Sequence, residues 1–432
     1  MPRPVRPCPD WVICAYAATA ILLQAFYHID AVMTAMHAFP LRQLLAVFKL
    51  AGVFLLLWDT VSERVWMRFR ETWPLVGTLA ALFLSSCLWP EYRFENGKVL
   101  MAQGVQMLLI FPLTWRLSRE ECLRLLRTIY TGISAGYLPA ILLSMGRFFL
   151  FGTGVSEGRL QGVFVHLYFP GVVAGVMAVA SVYFAGAAER PWKRRLFAAA
   201  GVIYGAYNLL NGTRAVLVAY GMAALVWAVL RLSFPGDRES REKAGNLRLL
   251  PAVLFLGLAA VGGILQRTDV NLENITNNRI YIWMDYWEAV WREGKTALFG
   301  FSPGGYQPEI RARYPDIFIV SYIRDRYPQR FAQGYIYDVH NGYLGLIVST
   351  GLLGTCSMGA FFFLWLRRLL IWLRGRRRLS REALALLAAL TLILTAVFFD
   401  SDLFFRYNST SLLFWLLAGS TFRLTEPEKG RL

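Results

Sequence analysis

Charge is scarce in this chain. Only 17% of its 432 residues are Asp, Glu, Lys or Arg, whereas 56% are hydrophobic. A soluble protein of this size would lack the polar surface to cover so much apolar side chain, so the soluble globular classes are excluded. Acidic residues are the scarcer sign, 28 against 45 lysines and arginines, for a formal charge of +17. The five cysteines, Cys8, Cys14, Cys87, Cys122 and Cys356, show no metal-ligand spacing, and none falls in the long polar segment described below. That excludes a disulfide framework and a structural zinc site, and leaves small apolar side chains or inert thiols. No Asp/Glu cluster suggests a metal site, and no low-complexity tract or internal repeat is visible. Met1 to Asp10 is short and basic, and the apolar stretch after it reads as a retained first span, not a cleaved leader.

What is present is a series of apolar runs of about 20 residues divided by short charged links, the mark of an all-α, polytopic helical membrane protein. Twelve spans are expected, at 11–29, 41–61, 73–89, 98–116, 125–150, 164–186, 196–210, 214–231, 249–266, 339–366, 383–399 and 404–421. With the N-terminus inside, the arginine clusters fall in cytoplasmic links, such as Arg64/Arg68/Arg70, Arg190/Lys193/Arg194/Arg195 and Arg374/Arg376/Arg377/Arg378. The outer links are nearly free of Lys and Arg, so both termini are expected in the cytoplasm. The same distribution argues against nucleic acid, because the basic residues lie in links and form no single soluble face.

One outer link stands apart. The organisation expected is nine spans in 1–266, a polar loop domain in 267–338 with surface helices, and three spans with a cytoplasmic tail in 339–432. From Arg279, apolar residues recur at Ile280, Trp283, Trp287, Val290 and Trp291, close to a 3.6 period, with Thr276 or Asn277 as cap. Tryptophans on one face predict a helix lying on the membrane surface. A turn-rich break, Gly300-Phe301-Ser302-Pro303-Gly304-Gly305, follows.

Orientation also acts as a filter, because arginine is unexpected on the outer side. Arg42, Arg93, Arg147, Arg159, Arg214 and Arg406 fall there, and the large loop adds Arg279. Arg214, in Asn211-Gly212-Thr213-Arg214, and Arg279 both begin helices. A helix N-terminus is partly positive and repels a cation mildly, unless an anion binds between them. Arg159 precedes another inward span, beside Glu157. The run Asp338-Val339-His340-Asn341-Gly342-Tyr343-Leu344 opens a span with polar groups that are costly in hydrocarbon. With Asp338 as N-cap, His340 would lie in the first turn, where the helix dipole keeps imidazole neutral and able to act as a general base. Asp400 and Asp402, in the turn between the last two spans, are placed to orient His340, to pair with Arg406 or to cap the turn. His28, His37 and His166 read as interfacial. Converging arginines around a neutral base would suit a diphosphate, their planar forks binding phosphate oxygens and standing in for Mg²⁺.

These residues resemble the O-antigen ligase and O-antigen polymerase superfamily of bacterial inner-membrane glycosyltransferases. The likeness rests on His340-Asn341-x-x-Leu344 with Val348, Gly351 and Gly354, on Thr213-Arg214, and on Arg279-x-x-x-Trp283 leading to Gly300-x-x-x-Gly304. The twelve-span layout with one large loop before the His-Asn span fits as well. Where the family often shows a Gly-Asn-Pro-Asn-like run after Arg159, this chain reads Gly162-Val163-Phe164-Val165-His166, and Thr213 stands where serine is common. The resemblance implies a GT-C-like fold and an inverting transfer that needs no metal or other cofactor. The donor would be a glycan on undecaprenyl pyrophosphate, and the acceptor a sugar hydroxyl of lipid A–core. His340 would be the catalytic base. Arg214, Arg279 and Arg159 would hold the pyrophosphate, with Asn341, Asp338, Asp400 and Asp402 in support. The short link at 151–163 favours a ligase over a polymerase, and a protein O-oligosaccharyltransferase is the other relative. The alternative of another class is a polyprenyl-lipid transporter or flippase. It would place ionisable groups near the bilayer midplane, where Lys49 is the main one here.

Overall fold

The computed structural model describes residues 9–38, 41–62, 70, 72–156, 158–233, 279–374, 379–400 and 404–425. The expected span at 249–266, the caps Thr276 and Asn277, and Asp402 lie outside the described residues. The helices are α1 (Asp10–Phe26), α2 (Asp30–His37), α3 (Leu41–Ser62), α4 (Thr72–Leu88), α5 (Arg93–Gly104) and α6 (Phe111–Arg116). A π-helical turn, Val105–Ile110, joins α5 to α6. Next come α7 (Arg119–Phe151), a hairpin of β1 (Val155–Ser156) and β2 (Arg159–Leu160), α8 (Tyr168–Ala187), α9 (Pro191–Asn211) and α10 (Arg214–Ser233). The polar segment supplies α11 (Arg279–Trp291), α12 (Gly294–Phe299), α13 (Tyr306–Arg313), α14 (Phe318–Arg326) and α15 (Pro328–Ala332). The chain closes with α16 (Gly342–Arg374), α17 (Arg381–Val397) and α18 (Ser409–Thr425).

This is an all-α membrane protein. Among the described residues, six helical stretches are long and apolar enough to cross a membrane, and α1 and α4 are shorter apolar helices. The bundle is organised around α18. Leu412, Phe414, Trp415, Leu416 and Ala418 are buried on every side of it, and so are Ser409, Thr410 and Ser411. A helix that is apolar all round belongs in the interior, and α18 packs against α1, α6, α8 and α17. Elsewhere the apolar side chains face outward, as with Leu44, Phe54 and Val202, which suits a lipid surround.

A second core, separate from the bundle's, lies under the polar segment. Ile282, Tyr286, Val290, Phe301, Ile310, Ile319 and Ile336 share it with Trp89 beyond the end of α4 and with Ile347 and Val348 of α16. The polar segment is therefore docked onto α4 and α16. Its helix α11 is two-sided. Ile282, Tyr286, Ala289 and Val290 are buried, while Met284, Trp287 and Trp291 are exposed. The buried stripe is thus displaced from the Trp283/Trp287/Trp291 face that periodicity picks out, because α11 covers α16 on one side and leaves Trp287 and Trp291 exposed on the other.

The two cores meet at a break in α16. Gly351 adopts φ 61° and ψ −160°, interrupting the helix. The carbonyls of Val348 and Ser349 accept instead from the N–H groups of Phe301 (2.8 Å) and Ser302 (3.1 Å). Ser85 Oγ also donates to the Ser349 carbonyl (3.1 Å), and Trp89 Nε1 to the Gly300 carbonyl (3.0 Å). Gly300 and Gly351 cross with their backbones in contact, leaving no room for a Cβ on either.

Candidate functional site

At one end of the bundle, the C-terminal ends of α7, α9 and α17 meet the N-terminal ends of α8, α10, α16 and α18. Asn211, at the end of α9, ties this end together by donating to the carbonyls of Leu160 (3.2 Å) and Leu167 (3.1 Å). His340 sits here, just ahead of α16. The cap of that helix is Asn341, whose Oδ1 accepts from the Leu344 N–H (3.0 Å), and not Asp338 as expected. Asn341 is buried, with its Oδ1 engaged in this cap. Asp338 is committed elsewhere. Its Oδ1 accepts from Tyr306 Oη (2.6 Å) and its own neighbour's Val339 N–H (2.8 Å), and its Oδ2 pairs with Arg406 Nη2 (2.6 Å).

His340 itself lies before the first helical turn, with φ 47°. A left-handed backbone costs a non-glycine residue about 1–3 kcal/mol and persists only where neighbours enforce it. The enforcement is visible on both sides, in the three bonds to Asp338 and in buried Val339 and Asn341. The ring is held with Nδ1 toward Asp400 Oδ1 at 4.0 Å, a charge contact too long for a hydrogen bond. Nδ1 is buried and has no hydrogen-bond partner, so the remaining ring atoms carry the side chain's 31% exposure. Asp400 thus faces His340, and Arg406 pairs with Asp338.

The cations arrive from separate elements. Arg279 is the first residue of α11, and its Nη1 donates to the Phe399 carbonyl (2.5 Å) past the end of α17. Trp283, one turn on, packs edge-on against Phe398. Arg279 lies within electrostatic range of Asp400, Tyr168 and Arg159. Arg159, on β2, lays its aliphatic stem over Gly212, which ends α9 in a left-handed turn. Arg214 opens α10 two residues later. His340, Asp338, Asp400, Arg406, Arg279 and Arg159 therefore form one connected charge neighbourhood, and Arg214 begins α10 at the same end of the bundle.

Burial pushes the His340 imidazole below its ordinary pKa of 6.5. Asp400 pulls it up, Arg279 pushes it down, and Asp338 and Arg406 act in the same opposing way more weakly. Desolvation is the largest of these causes, and the helix N-terminus begins one residue further along. Arg279 is likewise lowered by burial, partly offset by Asp400, and a guanidinium remains charged throughout. His166 is lowered by burial and raised by Asp400, so it borders the same site. His28 is not an interfacial group. It is buried, stacked on Phe169 at 4.9 Å, with Nε2 3.1 Å from Ser409 Oγ.

Sequence reasoning missed Tyr306 and gave Arg406 no firm partner. Tyr306 follows directly on the Gly304-Gly305 turn, and that adjacency was the available signal. Lys49, the charge expected near the midplane, lies 5.7 Å from the ring of Tyr407, whose hydroxyl meets Tyr16 Oη at 2.8 Å. Among the described residues, no group of three or more His, Cys, Asp or Glu is arranged to hold a metal ion. A cavity of about 770 Å³ lies at the other end of the bundle. No family model matches the sequence, and a comparison with the curated proteins gives no significant match.

Proposed function

We propose that the chain is an O-antigen ligase: a twelve-span, GT-C-like glycosyltransferase of a bacterial inner membrane, with both termini cytoplasmic and His340 facing the periplasm. The observation that supports this best is the strained, half-buried imidazole of His340, set between Asp400 and Arg279. Backbone strain of this kind costs about 1–3 kcal/mol and clusters at active sites, which favours reading His340 as a base whose ring is held in place. With Nδ1 turned to Asp400, Nε2 takes the proton of an acceptor sugar hydroxyl on lipid A–core. The hydroxyl oxygen forms the new bond to the anomeric carbon as the bond from that carbon to undecaprenyl pyrophosphate breaks. The Asp400 charge favours the imidazolium that results. The electron pair leaves on the pyrophosphate, whose growing charge Arg279, Arg159 and Arg214 stabilise. Arg279 is anchored through Nη1 to the Phe399 carbonyl, and its remaining N–H groups would serve the phosphate.

The test is transfer in liposomes holding the protein, a polyprenyl-pyrophosphate glycan and lipid A–core, with chelator present. Product is expected from the wild type and not from His340→Ala. Unchanged transfer by His340→Ala removes the proposed base. Elongation of the donor in place of transfer to lipid A–core identifies a polymerase.

A further inference from the structure

The cavity of about 770 Å³ opens between α7, α8, α9 and α17, with α18 behind it. Four of the helices offer it the end opposite to the one near His340, the starts of α7, α9 and α17 and the close of α8, and α18 lines it with Leu413 and Leu417. The deep walls are apolar, with Ile133, Met177, Leu386 and Leu417 among them. The mouth is basic. Arg124 and Arg127 stand one turn apart on α7, and Arg190 and Lys193 flank the turn from α8 to α9. Three carboxylates, Glu120, Glu189 and Glu382, also reach it. Glu382 is already engaged, accepting from Tyr183 Oη (3.3 Å) and pairing with Arg119 Nη2 (3.5 Å). No side chain caps the start of α9, where Arg190 holds the cap position, so its free N–H groups add to the positive mouth.

We propose that this cavity is a binding site for one anionic diacyl phospholipid. Its phosphate lies among Arg124, Arg127, Arg190 and Lys193, and acyl chain fills the space between α7 and α17. The volume is that of a built ligand site, about 300–1,000 Å³. Basic pockets between membrane helices recognise lipid headgroups, and apolar space left unfilled there forfeits dispersion contacts with its walls. The inference is independent of glycosyl transfer, since no residue of it belongs to the site around His340.

The experiment uses the full chain in detergent, titrated with phosphatidylglycerol, phosphatidylethanolamine or phosphatidylcholine of identical acyl chains. Retained lipid is read by native mass spectrometry and thermal stability by light scattering. Phosphatidylglycerol is expected to be retained at one copy and to raise the melting temperature above that with the other two. Arg127→Gln combined with Lys193→Gln is expected to weaken its binding roughly tenfold or more. Ala180→Phe, which fills the cavity and keeps every charge, is expected to abolish retention. Equal retention of the three lipids by the wild type overturns the proposal without any variant. So does a preference for phosphatidylethanolamine, or a phosphatidylglycerol preference that survives both variants.

Discussion

Replacing Gly351 with alanine tests whether the break in α16 is a built feature. The backbone there, at φ 61° and ψ −160°, belongs to a region essentially reserved for glycine, and costs another residue about 1–3 kcal/mol. The new Cβ would also run into the backbone of Leu298 and Phe299. If residues 298–302 back away, the Phe301 and Ser302 N–H groups lose the carbonyls of Val348 and Ser349. Those two bonds contribute about 0.5–1.5 kcal/mol each. Together the losses come to roughly 2–6 kcal/mol. The assay is unfolding in mixed micelles of rising SDS fraction, followed by tryptophan fluorescence. Trp89 is a natural reporter, since its indole bonds the Gly300 carbonyl. Gly359, on the same helix, is the control, because nothing lies within 4 Å of where its Cβ would sit. Gly359→Ala should be neutral or stabilise by about 0.5–1 kcal/mol. A Gly351→Ala protein within about 1 kcal/mol of the control would refute the reasoning, since the break would then be incidental.

Further outcomes follow from the site. Transfer should be flat near neutral pH and decline on acidification through the depressed pKa of His340, because the protonated ring has no lone pair to accept a proton. A decline set above the ordinary histidine range would contradict that direction. His340→Ala should lower kcat by about 10²–10⁴-fold with donor KM little changed. Asp400→Asn removes the charge that most raises the His340 pKa, so the acid limb should move to lower pH while the plateau falls; an upward move speaks against the contact. Arg279→Lys keeps the charge but loses the planar fork, and is expected to raise donor KM and lower kcat together. Asn341→Ala should cost about 1 kcal/mol of stability through the lost cap, measured in the same SDS titration.

Much of the helical layout could be read from apolar runs. The stretches expected at 41–61, 73–89 and 214–231 coincide with α3, α4 and α10 to within a residue or two. The start of α10 at Arg214 was legible too, because a charged residue marks the edge of its apolar period. What escaped was decided over long distances. Asp338 and Asn341 are both good caps, and the choice fell to Asn341 because Tyr306 and Arg406 take up the Asp338 carboxylate. The π turn at Val105–Ile110 packs against α18, and its Gln106 donates to the Arg406 carbonyl just ahead of that helix. No local pattern announces it. Gly351 and Gly354 read as small residues in a motif, and only the approach of Gly300 shows that one of them is a break.

That break also constrains how the protein is made. Where α16 loses its helical register, the carbonyls of Val348 and Ser349 accept from Phe301 and Ser302, and Ser349 also from Ser85, all in stretches synthesised earlier. Hydrocarbon provides no water to stand in for them. The upper part of α16 therefore cannot settle between its neighbours as a finished rod released from the translocation machinery. It must wait for the polar segment to fold and present its backbone, which couples membrane insertion to extramembrane folding at a single crossing of two glycines.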